Sequence, residues 1–527
     1  MRTPIPGRAA MWPHELFPGL PDATARLCAQ VLARVDTDGA VRDPCRSRVL
    51  ESALTLRLLE LTGHAPGSRA ALSRYLNQST PQDPAERMLK DVALHGIAGS
   101  AAAVADRVIG QSPEFTGQRK RALLEALFAL WGAPPALLTG DVPLTGLHSW
   151  ARVQVSAVKT VLADTAGRPG LITDEDVRRL LDTQKLPHAW EGNLLISLWV
   201  LHALARLPGT EHIVADGVRK VLAHQRADGG LPFVSDTDTW CTATAGIALA
   251  AAGMSHLRLR PLAAHLLSQQ RPGGGWTYTD LSDQTDVDDT SVAVQFLHLL
   301  DPHSHQATIG RGISSMLATR GTDGGFPTYL AGAPSEASMT AAVLDALSTH
   351  PAEHAVTISA GLEYLAKEQN SDGSFPPDWS SSRLHTVFRV LLAASRHPAQ
   401  TPAPVAAMTR RALGLVREQQ HLDGGWGAQE GTPSDAITTA YGLIALCLQD
   451  DPRPAARALT FLLGHQREDG GITAPPDSIG PRPFVFTVPA LADIFTLLAL
   501  GHLGHRIQPL TATGRGHEEA LQPSLGR

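Results

Sequence analysis

The chain has 527 residues, more than one hydrophobic core usually organises, and 43% of them are hydrophobic, enough to give each of two or three domains a core. Its formal net charge of −6, from 45 Lys and Arg against 51 Asp and Glu, comes without basic blocks and excludes a phosphate-tracking nucleic-acid surface. Cys28, Cys45, Cys241 and Cys447 are scattered with no CxxC, which fits reduced thiols in a cytoplasmic setting rather than a disulfide framework.

The N-terminus, Met1-Arg-Thr-Pro-Ile-Pro-Gly7, leads into no apolar run of signal-peptide length. Residues 46–61, Arg46-Ser-Arg-Val-Leu-Glu-Ser-Ala-Leu-Thr-Leu-Arg-Leu-Leu-Glu-Leu61, carry a helical pattern, and Pro- and Gly-bearing breaks near 63–68, 132–143 and 166–170 read as loops. Leu194 to Leu207 and Val488 to Leu500 are strongly apolar but contain His202 with Arg206, and Asp493. Both are too short for a transmembrane span and read as buried helices.

From residue 225 one phrase recurs six times: Gln225-Arg-Ala-Asp-Gly-Gly230, Gln270-Arg-Pro-Gly-Gly-Gly-Trp276, Arg320-Gly-Thr-Asp-Gly-Gly-Phe326, Gln369-Asn-Ser-Asp-Gly-Ser-Phe375, Gln420-His-Leu-Asp-Gly-Gly-Trp426 and Gln466-Arg-Glu-Asp-Gly-Gly471. Its central glycines, 229, 274, 324, 373, 424 and 470, are spaced by 45 to 51 residues. A helix such as Gly361–Gln369 runs into each turn, a polar loop follows, and a more apolar helix such as Asp435–Leu446 comes next. One amphipathic and one buried helix per unit predicts stacked helical hairpins, as an open solenoid or a closed α/α barrel. After residue 505 the chain turns polar and is expected to be disordered.

Three aspartates, Asp286, Asp288 and Asp289, precede the helix Thr290–Leu299. On the plain reading they cap it. On the chemical reading, crowding and burial raise a carboxyl pKa and keep a proton available near neutral pH. A dry cavity would strengthen such an acid, and aromatic faces beside it would stabilise a positive charge.

The repeated phrase, together with Gly274-Gly-Trp-Thr-Tyr-Thr-Asp-Leu-Ser-Asp-Gln-Thr-Asp-Val-Asp-Asp-Thr290, resembles the hopene and squalene cyclase superfamily, the class II terpene cyclases. Ser149-Trp-Ala-Arg152, Thr239-Trp240, Pro334-Ser-Glu336 and Phe495-Thr-Leu-Leu-Ala-Leu-Gly501 extend the likeness over nearly the whole chain. The resemblance implies an all-α fold of two α/α barrels in the βγ arrangement. Residues 1–40 would pack with the C-terminal barrel, 41–250 would form the first barrel and 251–505 the second, with 506–527 as tail. It also implies Asp288 as the proton donor, with Asp286 and Asp289 tuning it, and a cavity lined by Trp150, Trp240, Tyr278, Tyr329, Trp379 and Phe484, each of which otherwise reads as core. His385 falls near a family tyrosine that hydrogen-bonds the acid; the alternative is a histidine satisfied elsewhere.

The departures bear on substrate. Where hopene cyclases carry a histidine beside the acid, this chain has Ala342, and distal aromatics are replaced by Gly480, Val488 and Leu491. Such losses resemble bacterial cyclases of prenyl diphosphates and imply conversion of geranylgeranyl diphosphate to a bicyclic copalyl- or labdane-type diphosphate. The alternatives are farnesyl diphosphate to a drimenyl-type diphosphate, or a neutral triterpene. With no DDxxD site the diphosphate should survive, neutralised by Mg²⁺. Arg152 is a candidate for the diphosphate and Glu191 for the metal, or both are ordinary interhelical charges. A zinc-dependent prenyltransferase is disfavoured because its Asp-x-Cys occurs only at Asp43-Pro-Cys45, outside the repeats. A non-enzymatic repeat scaffold would need the aspartates exposed. A homodimer is left open.

Overall fold

The computed structural model describes residues 11–81, 84–96, 117–132, 143–397, 402–481 and 484–507. Among them, apart from short 3-10 turns, helices alternate with loops, and the named strands form two two-residue ribbons, Ser47–Arg48 with Leu231–Pro232 and Ser478–Ile479 with Val485–Phe486.

Six apolar helices, Asp238–Ala251, Val287–Leu300, Ala337–Leu347, Leu384–Ser395, Ala436–Leu446 and Ala490–Gly504, each pack on the next, and the last packs on the first. The repeat is therefore a closed α/α barrel, not an open solenoid. Every residue of Ala436–Leu446 is buried, whereas the outer helix Arg453–His465 buries one stripe only. Five outer helices come from the repeats, and Leu20–Leu32 is the sixth, lying on Ala490–Gly504.

The repeated phrase explains the stacking. Gln270, Gln369, Gln420 and Gln466 each donate from Nε2 to the carbonyl of the glycine four residues on and to a carbonyl in the first half of the neighbouring outer helix: Thr308, Met408, Pro454 and Ala23. The sixth turn thus reaches the N-terminal helix as the others reach the next repeat. At Gly424, φ is +91° and a Cβ would lie 2.4 Å from the Arg457 carbonyl oxygen, so only glycine lets turn and helix approach.

The first barrel is built from helices between Val49 and Leu222, with Val49–Thr62, Gly117–Ala129, Ser149–Thr165 and Leu194–Leu204 sharing one core. Helix Asp238–Ala251 belongs instead to the second core, so the two divide near residue 235 rather than near 250. Arg506 and Ile507, expected in the tail, are part of the fold: the Arg506 carbonyl accepts from the Trp12 backbone N–H at 2.7 Å and its guanidinium lies 4.4 Å from the Trp12 ring centre. The rest of that tail, and most of the break at 132–143, lie outside the described residues. Among the described residues no helix is long and apolar enough to cross a membrane.

Candidate active site

Because each inner helix follows an outer one, all six run the same way and begin at the same end of the barrel. The aspartates lie there, at the start of Val287–Leu300. Asp286 is the N-cap: its Oδ1 accepts from the Asp289 backbone N–H at 2.8 Å, and an isolated bridge joins its backbone to Trp276. The capping reading is thus correct for Asp286, and it does not exclude the chemical one.

Asp286 and Asp289 are both buried and interact side chain to side chain. Burial pushes the Asp286 carboxyl up to about 6, and burial with the Asp286 charge pushes Asp289 well above the usual carboxylate range. Two carboxyls so close bond only if one is protonated, so the pair titrates as a unit and holds a proton above the usual carboxylate range. Asp288 turns the other way. Its side chain keeps 17% exposure, and Arg389 Nη1 pairs with its Oδ1 at 2.7 Å.

Arg389 was not singled out in the sequence. It lies in Leu384–Ser395, opposite Asp238–Ala251 in the ring, and its guanidinium carbon is 5.6 Å from the centre of the Trp240 ring. The available signal was an arginine inside the apolar run Leu384-His-Thr-Val-Phe-Arg-Val-Leu-Leu392, one helical turn after His385. His385 does not join the aspartates as expected. Its Nδ1 pairs with Asp378 Oδ2 at 2.6 Å, and the Thr386 hydroxyl and Ser380 N–H also donate to Asp378. Despite burial, His385 and these donors hold the Asp378 carboxyl below its ordinary value. The histidine ring packs on Phe388 and Tyr441.

The expected aromatics separate into two groups. Trp150 meets Tyr278 and Tyr329 edge-on at 5.4 and 5.5 Å, and Tyr329 meets Trp379 at 6.2 Å and stacks on His148 at 4.3 Å. Burial and, secondarily, the aspartate charges push the Tyr329 phenol well above its ordinary value, so this cluster feels the acid site. Phe484 lies elsewhere, in the first core beside the buried Arg48–Glu51 pair. Its backbone carbonyl accepts from Arg48, so its place is set by domain docking rather than by the aspartates.

Glu191, the expected metal ligand, commits one of its two carboxylate oxygens to the chain itself. Its Oε2 accepts from Trp150 Nε1, the Ser282 hydroxyl and the backbone N–H groups of Asp283 and Gln284, at 2.5–3.2 Å. It sits at φ +58°, a strained value for a non-glycine residue, and its carbonyl accepts from Tyr278. Those bonds tie the loop before the aspartates to the first barrel. Arg152 is exposed, without a recorded anionic partner, and among the described residues no three His, Cys, Asp or Glu side chains gather to hold a metal. Ala342 is buried, and a Cβ at Gly480 would stand 2.8 Å from the Phe233 ring, so Phe233 occupies the space an aromatic there would need.

Residues 330–505 match the squalene-hopene cyclase C-terminal domain. A drimenyl diphosphate synthase from Streptantibioticus cattleyicolor is 38% identical over 90% of this chain and 93% of its own, and one from Streptomyces showdoensis is 36% identical over the same shares. The chain belongs to the class II terpene cyclases. The cyclase also shares its fold with ent-copalyl diphosphate synthase from Streptomyces platensis, at a TM-score of 0.56 and 18% identity over 92% of this chain and 99% of that one. A repeat scaffold without activity is thereby set aside, because the cyclase is an enzyme.

Proposed function

We propose that this cyclase converts farnesyl diphosphate into a bicyclic drimenyl-type diphosphate, with Asp288 as the proton donor. The substrate assignment rests on the two drimenyl diphosphate synthases that match almost the full chain. The sequence alone had favoured geranylgeranyl diphosphate, and the alternative it kept open is the better supported one. The acid assignment rests on one observation: of the three aspartates, only Asp288 keeps side-chain exposure at the barrel mouth, while Asp286 and Asp289 are turned into a buried pair.

In this reading the terminal alkene takes the Asp288 proton as the internal alkenes close two rings, so no free primary or secondary cation forms. Trp240 and the Trp150–Tyr278–Tyr329 cluster offer π faces to the moving charge. Proton loss beside the last cation ends the reaction, and the diphosphate, never ionised, stays in the product. Mg²⁺ would arrive with the diphosphate.

The test is incubation with the C15 and C20 prenyl diphosphates and with squalene, then dephosphorylation and mass spectrometry. A bicyclic C15 alcohol is expected. A C20 product formed with a higher kcat/KM would overturn the substrate assignment, and wild-type turnover by Asp288→Asn would overturn the acid.

A further inference from the structure

A cyclisation that ends by proton loss from carbon needs a group to take the proton, and His148 stands beside the aromatic cluster with no bond of its own. It is the N-cap residue of Ser149–Thr165, yet its side chain makes no cap bond. The ring turns instead to the cluster, stacking on Tyr329 with centroids 4.3 Å apart and meeting Trp150 edge-on at 5.9 Å. Its Nδ1 is buried without a hydrogen-bond partner, and no described residue bonds to Nε2. A buried polar atom left unpaired is uncommon in a folded protein and calls for a reason.

The place of the ring is fixed relative to the acid. Gln284, two residues before Asp286, accepts from both the backbone N–H and the hydroxyl of Ser149, the residue after His148. Tyr329 touches the His148 ring and feels the charges of the aspartates, so it links the two groups. The other polar groups around the cluster already hold donors. Glu191 Oε2 has four, Glu336 Oε1 takes the Thr328 N–H and hydroxyl, and Asp378 takes His385, Thr386 and Ser380. The Tyr278 hydroxyl donates to the Glu191 carbonyl. His148 alone in this group has its nitrogens free among the described residues.

We propose that His148 is the base that ends the cyclisation, its unprotonated ring nitrogen taking a proton from the carbon next to the final tertiary cation. This rests on the reading that cyclisation starts at Asp288 and runs past this cluster. The C–H bond breaks, its electron pair becomes the new alkene, and an N–H bond forms on the imidazole. Asp288 has given one proton and His148 has received one, so the product is an isomer of the substrate. After release His148 returns its proton to water and Asp288 regains one from water.

Burial and, secondarily, the Arg119 charge push the His148 imidazole down to about 4, so near neutral pH its nitrogen is free to accept. The N-terminal end of Ser149–Thr165 also disfavours an imidazolium. So weak a base suffices, because a C–H next to a carbocation is a far stronger acid than an imidazolium. While the imidazolium lasts, the stacked Tyr329 ring gives it a π face.

The test reads product ratios, which a merely structural histidine would not move. Wild type, His148→Phe and His148→Ala are incubated with farnesyl diphosphate and Mg²⁺, and the dephosphorylated products are separated by gas chromatography and mass spectrometry. His148→Phe keeps a ring against Tyr329 but has no nitrogen. Its yield of the wild-type alkene should fall at least ~10-fold relative to hydroxylated products, in which water captures the cation, and isomeric alkenes. A folded His148→Phe that makes the wild-type alkene in the wild-type ratio would overturn the proposal. Should that variant not fold, His148→Ala decides: added imidazole should shift its products back toward the wild-type alkene, and a ratio indifferent to imidazole refutes the base. The ratio can be read on whichever prenyl diphosphate is turned over, so a preference for the C20 substrate, or turnover by Asp288→Asn, would overturn the function proposed above and be seen as a separate failure.

Discussion

The buried carboxyl pair predicts that one catalytic-site substitution stabilises the protein, and only above a given pH. The folded chain raises Asp286 from 3.8 to about 6, mainly through burial. A carboxyl raised on folding binds more protons in the folded than in the unfolded state between those two values, so stability falls as pH rises through that window. At ~1.4 kcal/mol per pH unit the loss amounts to roughly 3 kcal/mol by neutral pH. Asp286→Asn removes the charge but keeps a carbonyl oxygen to cap the Asp289 N–H, so the helix start should survive. The variant should therefore be ~2–3 kcal/mol more stable than wild type at pH 7.5 and indistinguishable at pH 4, while losing activity. Parallel thermal or urea unfolding at the two pH values measures this. Asp236 and Asp477, also pushed up to about 6, contribute equally to both proteins, and the difference isolates Asp286. A variant less stable at pH 7.5, or one whose difference from wild type is the same at both pH values, would refute a shared-proton pair.

Asp288→Asn should reduce cyclisation by at least ~10³-fold with unchanged unfolding, read by product yield and circular dichroism. Glu191→Gln leaves one oxygen for the N–H donors of Trp150, Asp283 and Gln284; it should cost ~1–3 kcal/mol and raise KM without changing the Mg²⁺ concentration that half-saturates activity, and a changed Mg²⁺ requirement would return Glu191 to the metal. Gly424→Ala should cost ~2 kcal/mol or more, whereas Gly464→Ala, with open space around its Cβ, should be neutral or slightly stabilising in thermal unfolding. Chelation by EDTA should raise KM for the prenyl diphosphate more than it lowers kcat, since the ion is expected on the substrate.

Much of the second barrel was legible because its signal is local and repeated. A glutamine four residues before a positive-φ glycine recurs with the same bonds, so each copy supports the others. Ring closure was not legible, because it depends on Leu20–Leu32 meeting Ala490–Gly504 across the length of the chain. For the same reason the first barrel, with no clean copies of the phrase, gave up its boundary only through packing. Glu191 shows the limit at a single residue: an acid beside a tryptophan reads as a metal ligand, and the donors of residues 282–284 that hold one of its oxygens lie 91 to 93 residues further along the chain.

The aspartates show why a motif locates chemistry but does not assign protons. Three carboxyls within four residues suggest a common acidity, yet helix geometry sends their side chains in different directions. Asp286 is committed to the cap and, with Asp289, turned into the core, while Asp288 is left at the mouth. What then distinguishes them is not in the motif at all. It is an arginine distant in the sequence, brought to Asp288 from two helices away by the closing of the ring, so the surroundings of the acid are a property of the barrel.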